Sequence, residues 1–446
     1  MNMIKKLIAI ATVAAMPIMA FAQDTYADSL APKPSDEVDY ANEVTQNLCS
    51  YSMNGRGYGK GNGTKTAADY IVNELKEIGV SSVGSSYVQP FYVDANTFPG
   101  NMELQLNSNY LVAGTDFMID PASPSVNGTY DAIVINRAEL NDAMTRMNKL
   151  RQARGQFIIV DNTNYEGENR NTAIKIDQLI EQFKTDAQIQ VKGVIIYDTV
   201  RYSKMIWSTS TFQRSRPIFY IGTPQDIESI KRVKVAADAQ FIQQATTYNV
   251  VGKVEGTVYK DSFIVVSCHY DHLGTMGPAV YPGANCSASG VAMMLQLAKH
   301  FQIIKPKYSM LFIAFSGHEL GMKGGQTLIK YPPVDLKKVQ MVLDFDLMGN
   351  GISGLKVVNG NNHQELMQRM VKIAHDYKFV PEVDLKRNSK QSESYLFNEL
   401  QIPSFFIYSV GGSFDYKNLK DTPQMLPYTR FAEMQSLITR FIETIK

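Results

Sequence analysis

Residues whose types suit metal binding or proton transfer are concentrated in the C-terminal half of this 446-residue chain. Imidazole, thiolate and carboxylate groups are the ligands that a transition metal such as zinc prefers. One such segment alone is a weak signal, because a lone His or Asp is more often a helix cap or a surface residue. Four segments that follow one another predict a metal-dependent centre: Cys268-His269-Tyr270-Asp271-His272, Gly283 to Gly290 around Cys286, Gly317-His318-Glu319 and Asp344-Phe345-Asp346.

Short apolar segments precede these residues and predict the elements that position them. Residues 263–266 form a continuous apolar run, typical of a strand that is buried on both faces of a sheet. Residues 309–316 and 340–347 are predicted to be two further buried strands. Apolar residues at helical spacing over 288–301 predict a helix. This alternation indicates an α/β fold with helices on both faces of a mainly parallel sheet. Sites in such folds lie at the carboxyl ends of strands, and His269, His318 and Asp346 fall there, while the segment around Cys286 leads into the next helix.

The same patterns predict the other elements. The glycine-rich segment 54–63 has neither the phosphate-binding nor the dinucleotide-binding spacing, so we expect a flexible loop. A helix is predicted to start near Val38. Helical spacing also recurs at 67–78, 364–377 and 430–445, and short apolar strands are predicted at 132–135, 157–160, 194–197, 217–221 and 404–408.

The first residues predict export. Lys5-Lys6 precede an apolar stretch, and Ala20-Phe21-Ala22 form a small-residue cleavage site, so residues 1–22 match a secretory signal peptide. A signal anchor is the alternative. After cleavage we expect a periplasmic or secreted protein without a membrane partner, because no later segment is long and apolar enough to span a bilayer.

The chain that follows is longer than one hydrophobic core usually organises. We predict a discontinuous main domain, formed by residues 23–100 and 248–446, and a compact inserted domain at 101–247. No catalytic constellation is visible in the insertion. The main domain is therefore expected to carry the chemistry.

Composition excludes some functions. Lys and Arg number 44 against 43 Asp and Glu, and no basic block occurs, so we expect no nucleic-acid partner. The three cysteines, Cys49, Cys268 and Cys286, are too few for a disulfide scaffold. Cys268 is predicted to face the core, opposite to His269 on the strand. A Cys268–Cys286 disulfide is the alternative.

These motifs resemble metallopeptidase family 28 of clan MH, the co-catalytic zinc aminopeptidase type, which includes secreted bacterial leucine aminopeptidases and glutamate carboxypeptidase II. The resemblance extends over 248–446 and, less strongly, over 38–91. It implies a three-layer α/β/α sandwich around a mixed, mainly parallel sheet, and a protease-associated-like domain at 101–247. It also implies zinc as the cofactor and a peptide as the substrate.

Members of that family hold two zinc ions with His, a bridging Asp, Glu, Asp and a final His. The resemblance assigns His269, Glu319 and Asp346 to the first, third and fourth of these positions. It assigns Asp271 to the carboxylate that orients the first His. It assigns Tyr416 to the phenol that steadies the tetrahedral intermediate.

Three positions depart from the family pattern. Cys286 stands where the bridging Asp belongs, Lys417 where the final His belongs, and His318 where a Glu is the general base. A single sulfur would have to span both ions, so we expect the pair to be lost. One ion on His269, Cys286 and Asp346 is the predicted remnant, and a centre without metal is the alternative. Lys417 is expected to pair with Glu319 instead.

Three functions follow from this altered centre. The first is an exported metallo-exopeptidase, of aminopeptidase type, in which His318 replaces the general base. The second is a non-catalytic pseudopeptidase that binds a peptide or a protein partner. The third is a cysteine hydrolase with Cys286 as nucleophile and His318 as base. We predict no ligand role for His272, and we interpret Glu393 as a specificity residue or a solvated carboxylate.

Overall fold

The structure, a computed structural model, describes residues 36–445 except residues 60, 164, 166, 413 and 414. The predicted signal peptide at 1–22 lies outside the described residues. The chain from Asp36 to Lys446 forms one compact unit. In the part of the chain that is described, no helix has the length and apolar character that crossing a bilayer would require.

The N-terminal part supplies two helices and an edge of the main sheet. Gly79 ends the second helix in the left-handed conformation (φ 87°), which glycine adopts without a steric cost. Residues 54–56 of the glycine-rich segment belong to a 3₁₀ turn at Tyr51–Arg56, and the segment leads into α2 at Gly63 as predicted. Residues 55–58 are buried, so this part of the segment is packed against the rest of the protein. The elements are α1 (Asp36–Leu48), α2 (Gly63–Ile78), β1 (Ser81–Ser82) and β2 (Val88–Thr97).

The segment between β2 and the next strand of the main sheet forms a second sheet. It has eight strands in the order β4-β3-β10-β6-β7-β8-β9-β5. Strands β6 to β9 are parallel and contain the four strands predicted here. The assignment of 101–247 as a protease-associated-like domain stays a prediction. The elements are β3 (Met102–Leu106), β4 (Asn109–Leu111), β5 (Phe117–Ile119), β6 (Val126–Asn136), α3 (Arg137–Asn141), α4 (Ala143–Gln152), β7 (Phe157–Asp161), α5 (Arg170–Thr185), β8 (Gly193–Tyr197), β9 (Ile218–Ile221) and β10 (Arg232–Ala237).

The main sheet has nine strands, in the order β1-β11-β15-β12-β16-β19-β17-β18, with β2 also paired to β11. Its elements from the C-terminal part are β11 (Gln240–Val254), β12 (Tyr259–His269), β13 (Thr275–Met276), β14 (Ala279–Val280), α6 (Gly290–Ile303), β15 (Tyr308–Phe315), α7 (Lys323–Lys330), β16 (Val339–Phe345), β17 (Gly354–Val358), α8 (Gln364–Tyr377), β18 (Val383–Leu385), α9 (Ser394–Asn398), β19 (Ser404–Val410) and α10 (Phe431–Glu443); β13 and β14 form a separate hairpin.

Strands β15, β12, β16 and β19 are parallel neighbours, and antiparallel β11 and β17 flank them. Every residue of β15 is buried, as expected for a strand covered on both faces. One face packs on α1, α2, α6, α8 and α10, and the other on α7 and α9. The predicted α/β/α sandwich around a mixed sheet is confirmed.

Candidate metal centre

The candidate centre lies where three parallel strands end. Pairing aligns His269, the last residue of β12, with Phe315 at the end of β15, and aligns Cys268 with Phe345 at the end of β16. The chain therefore leaves all three strands at one edge of the sheet. Cys286 reaches the same place from the turn Ala284–Ser289, which precedes α6.

Three predicted ligands meet there. Ligand atoms of His269, Cys286 and Asp346, the first group hereafter, all lie within 4.8 Å of one another, and all three residues are buried. The Nε2 atom of His269 lies 3.6 Å from Oδ2 of Asp346 and has no hydrogen-bond partner. A buried, unpartnered imidazole nitrogen beside a sulfur and a carboxylate oxygen fits a zinc ion.

Asp271 holds this edge together, as the resemblance implies. Nδ1 of His269 lies 3.1 Å from the main-chain oxygen of Asp271 and 3.5 Å from its carboxylate Oδ1. The same carboxylate accepts hydrogen bonds from Tyr58 Oη and from the main-chain N–H groups of His318 and Glu319. Burial alone would lower the pKa of His269, but Asp271 and Asp346 raise it well above its ordinary value. A metal ion would therefore have to displace a proton.

Cys286 is a buried thiol whose main chain is fixed. Burial, reinforced by Asp346, raises its pKa to about 12 despite the opposing effect of His269. Asp421 accepts hydrogen bonds from the N–H groups of Asn285 and Cys286, at 2.7 and 3.2 Å. Cys268 and Cys286 are both free, so the alternative of a disulfide is wrong. Cys268 is fully buried in the main core, 3.7 Å from Met294 Sδ, as predicted.

Lys417 pairs with Glu319, as predicted. Its Nζ donates to Oε2 of Glu319 at 2.6 Å, and only 17% of the lysine side chain and 3% of the glutamate side chain are exposed. Burial opposes the charge, but Glu319 raises the pKa of Lys417, so the ammonium persists. A fixed positive charge therefore lies against this carboxylate.

His272 lies in the centre, which sequence reasoning missed. Its imidazole is fully buried, neither ring nitrogen has a hydrogen-bond partner, and Nδ1 lies 3.7 Å from Oε1 of Glu319. Ligand atoms of His272, Cys286 and Glu319, the second group hereafter, also lie within 4.8 Å of one another. The signal was present as a second His three residues after His269.

The proposed base has a buried partner. The ring of His318 stacks on His269, with centroids 3.9 Å apart and planes at 15°. Its Nδ1 lies 2.9 Å from Oε2 of Glu393, whose side chain is 1% exposed, so the interpretation of Glu393 as a solvated carboxylate is wrong. Nearby, burial and Glu393 raise the pKa of Asp344 to about 6. Tyr416 is half-exposed, with its ring 5.3 Å from Lys417 Nζ.

Two segments outside the main strands support the centre. The region of the second sheet reaches the centre through two residues. The Thr209 hydroxyl donates to the main-chain oxygen of Glu319, and the main-chain N–H of Trp207 donates to the main-chain oxygen of Lys417. Arg56, fully buried in the glycine-rich segment, donates to the Tyr270 main-chain oxygen. It also donates to those of Pro282 and Gly283.

The tight packing of the glycine-rich segment explains its composition. A Cβ atom on Gly57 would lie 2.4 Å from the Cα atom of Gly274, so only glycine fits there. Gly283 faces His272 in the same manner, because a Cβ atom would lie 2.4 Å from the imidazole Cδ2. These contacts fix the loop that carries His272.

Comparison with known proteins gives a consistent picture. Residues 249–442 match the model of a family described as peptidase family M28. A probable zinc metalloprotease of Pyrenophora teres f. teres is 34% identical over 105 residues, which are 23% of this chain and 22% of that protein. Aminopeptidase YwaD of Bacillus subtilis is 27% identical over 178 residues, 38% of this chain and 37% of that protein. The chain thus spans well under half the length of these relatives.

Two solved structures share the fold over nearly the whole chain. A zinc aminopeptidase from Bacillus subtilis superposes with a TM-score of 0.63 at 16% identity. The superposition covers 91% of this chain and 93% of the aminopeptidase chain. A peptidase M28 precursor from Shewanella amazonensis gives a TM-score of 0.64 at 17% identity, with 91% and 96% covered. At these identities the likeness shows the fold alone.

Proposed function

The chain belongs to peptidase family M28 through residues 249–442, and on that premise we propose that it is a zinc-dependent exopeptidase with an altered centre. The observation that carries the proposal is the first group, in which the ligand atoms of His269, Cys286 and Asp346 lie within 4.8 Å of one another. Three protein ligands that leave one position open are typical of a catalytic zinc site.

Each remaining side chain has a role in this proposal. A bound zinc ion would supply a Lewis acid and lower the pKa of a coordinated water. His318 is the general base that takes the proton of the attacking water. Glu393 binds its Nδ1 and holds the ring in one orientation for this role. Tyr416 donates a hydrogen bond to the developing oxyanion. Asp271 keeps His269 in place for the metal.

The peptide substrate is proposed to be cleaved at a terminus, as an aminopeptidase does. The resemblance to the zinc aminopeptidase type supports this. Trp207 and Thr209 also pack their segment against the main chain of Lys417 and Glu319, beside the ligand groups. Export to the periplasm or beyond is proposed from residues 1–22.

Zinc content and turnover, measured on the same purified protein, test the proposal. We expect bound zinc, and hydrolysis of aminoacyl anilides that stops on chelation and returns with zinc or cobalt. The matched variant is His269→Asn, with His375→Asn, on the exposed end of α8, as control. Absence of turnover with zinc, cobalt and manganese would refute the activity.

A pseudopeptidase is the second candidate, and the buried pair of Lys417 and Glu319 favours it. This ammonium already neutralises a carboxylate that the resemblance assigns to the second zinc ion. The triple variant Cys286→Asp, His318→Glu and Lys417→His tests it. Peptidase activity that appears only in this variant would establish that the natural residues silence an intact scaffold.

The third candidate, a cysteine hydrolase, lacks support from the geometry. The pKa of Cys286, raised to about 12 by burial, keeps the sulfur protonated at neutral pH, whereas the thiolate is the nucleophile. Among the described residues, the imidazoles grouped with its sulfur are those of His269 and His272. Rapid loss of activity on alkylation of Cys286 in metal-free protein would revive this candidate.

A further inference from the structure

His272 is a buried group that the proposed mechanism does not use. Its side chain is fully buried, and neither Nδ1 nor Nε2 has a hydrogen-bond partner. A buried polar group without a partner costs about 1–3 kcal/mol and is normally satisfied. The packing of Gly283 against the ring shows that the loop accommodates this imidazole closely. A ligand for His272 would account for its placement.

The atoms around His272 indicate what that ligand is. Oε1 of Glu319 lies 3.7 Å from Nδ1 and is itself buried without a hydrogen-bond partner. One ligand atom from each of His272, Cys286 and Glu319 lies within 4.8 Å of the other two. An imidazole nitrogen, a carboxylate oxygen and a sulfur are together the donor set of a thiophilic divalent ion such as zinc.

We propose that His272, Cys286 and Glu319 form a second cation position, which shares the Cys286 sulfur with the first group. His272 then supplies the imidazole that Lys417, at the family's final ligand position, cannot supply. The two carboxylate oxygens of Glu319 have different partners. Oε2 accepts a hydrogen bond from Lys417, and Oε1 has no hydrogen-bond partner and is left for the ion. This position replaces our expectation of a single ion, which had discounted His272.

The ammonium of Lys417 sets the strength of this position. It lies 2.6 Å from a carboxylate ligand, and like charges repel strongly where both are buried. The second group therefore binds its ion more weakly than the first group. Titration with zinc is expected to fill two positions in sequence, and Lys417→Met is expected to bring the two affinities closer.

Zinc content at saturation, measured by equilibrium dialysis and elemental analysis, tests the proposal without relying on activity. We expect two ions per chain in the unchanged protein and one in each of His272→Asn and His269→Asn. With cobalt, both variants keep the thiolate-to-metal absorption band, because each still contains Cys286. Cys286→Ser loses it. His300→Asn, at the end of α6, is the matched control and keeps both ions.

The experiment separates this proposal from the function proposed above. If only the second position exists, His269→Asn leaves the zinc content unchanged and His272→Asn abolishes it. If only the first exists, the reverse is seen, and His272 merely makes a long contact with Glu319. Should His272→Asn fail to fold, Glu319→Gln combined with Lys417→Met removes a ligand charge from the second group without leaving an unpaired charge buried. Two zinc ions per chain in both His272→Asn and this double variant would overturn the proposal.

Discussion

The two ligand groups that share the Cys286 sulfur contain the same kinds of atom but differ in their neighbours. In the first group, His269 lies 3.6 Å from Asp346, and Asp271 supports the imidazole. In the second, His272 lies 3.7 Å from Glu319, but Lys417 already binds the carboxylate. The ligand atoms alone therefore do not define a metal site. The charges and hydrogen bonds around them decide how strongly it binds.

The largest effect is expected from a change in the first group. Asp346→Asn keeps the shape but removes the charged ligand, so zinc affinity at this group should fall by more than about 100-fold, beyond the range seen for supporting residues. Peptidase activity should fall to background. Competition with a chromophoric chelator measures the affinity, and Asp384→Asn in β18 is the control. Unchanged affinity would remove Asp346 from the ligand set.

The next effect concerns the proposed base beside the first group. His318→Ala should lower kcat by about 100- to 10,000-fold while the zinc content stays the same, because the imidazole moves a proton and binds no metal. Glu393→Gln should have a smaller effect in the same direction, since it removes the charged partner of Nδ1. Steady-state kinetics on metal-loaded protein measure both. A loss of zinc in His318→Ala would instead place His318 among the ligands.

Breaking the ion pair beside the second group measures how much that pair contributes to stability. Lys417→Met leaves Glu319 charged and buried, which should destabilise the metal-free protein by about 3–5 kcal/mol. The double variant with Glu319→Gln should recover most of that loss, because the unpaired charge is gone. Urea unfolding in the presence of a chelator measures the free energies. A double variant as unstable as Lys417→Met would show that the lysine stabilises through packing instead.

A smaller effect is expected at the residue that connects the groups. Asp271 supports His269 and also accepts from the main-chain N–H of Glu319. Asp271→Asn should weaken zinc binding by about 10- to 100-fold, and more in the first group, where it lies against a ligand side chain. Stepwise zinc titration of the variant resolves the two affinities. Equal losses in both groups would mean that Asp271 acts through the loop as a whole.

Much of this arrangement could be predicted from sequence, because the information is local. Short, mainly apolar segments predicted β12, β15 and β16, and helical spacing predicted α8 at the bounds observed, 364–377. Strand ends then placed the first group correctly. The pairing of Lys417 with Glu319, 98 residues apart, was not local: the family resemblance assigned both to ligand positions, and their opposite charges then predicted the pair.

What could not be predicted depends on contacts between distant segments. The second group requires the loop after β12 to turn His272 inward, and Gly57, Gly274 and Gly283 set that turn through close packing. The partner of His318 is Glu393, 75 residues later in the chain. Neither has a local signal. The close packing of Gly57 has no local signal either, because glycine occurs in close contacts as well as in flexible loops.

The smallest effect is expected from an exposed ion pair outside the centre. It tests whether burial decides how strongly an ion pair contributes to stability. Lys65 and Asp69 on α2 lie at 2.5 Å, close to the 2.6 Å between Lys417 and Glu319, but their side chains are 51% and 60% exposed. Because water screens this pair, Lys65→Met should change the free energy of unfolding by less than about 0.5 kcal/mol. Urea unfolding beside Lys417→Met compares two pairs of nearly equal length. Equal losses would mean that burial does not distinguish them, and the argument that Lys417 governs the second group would then fail.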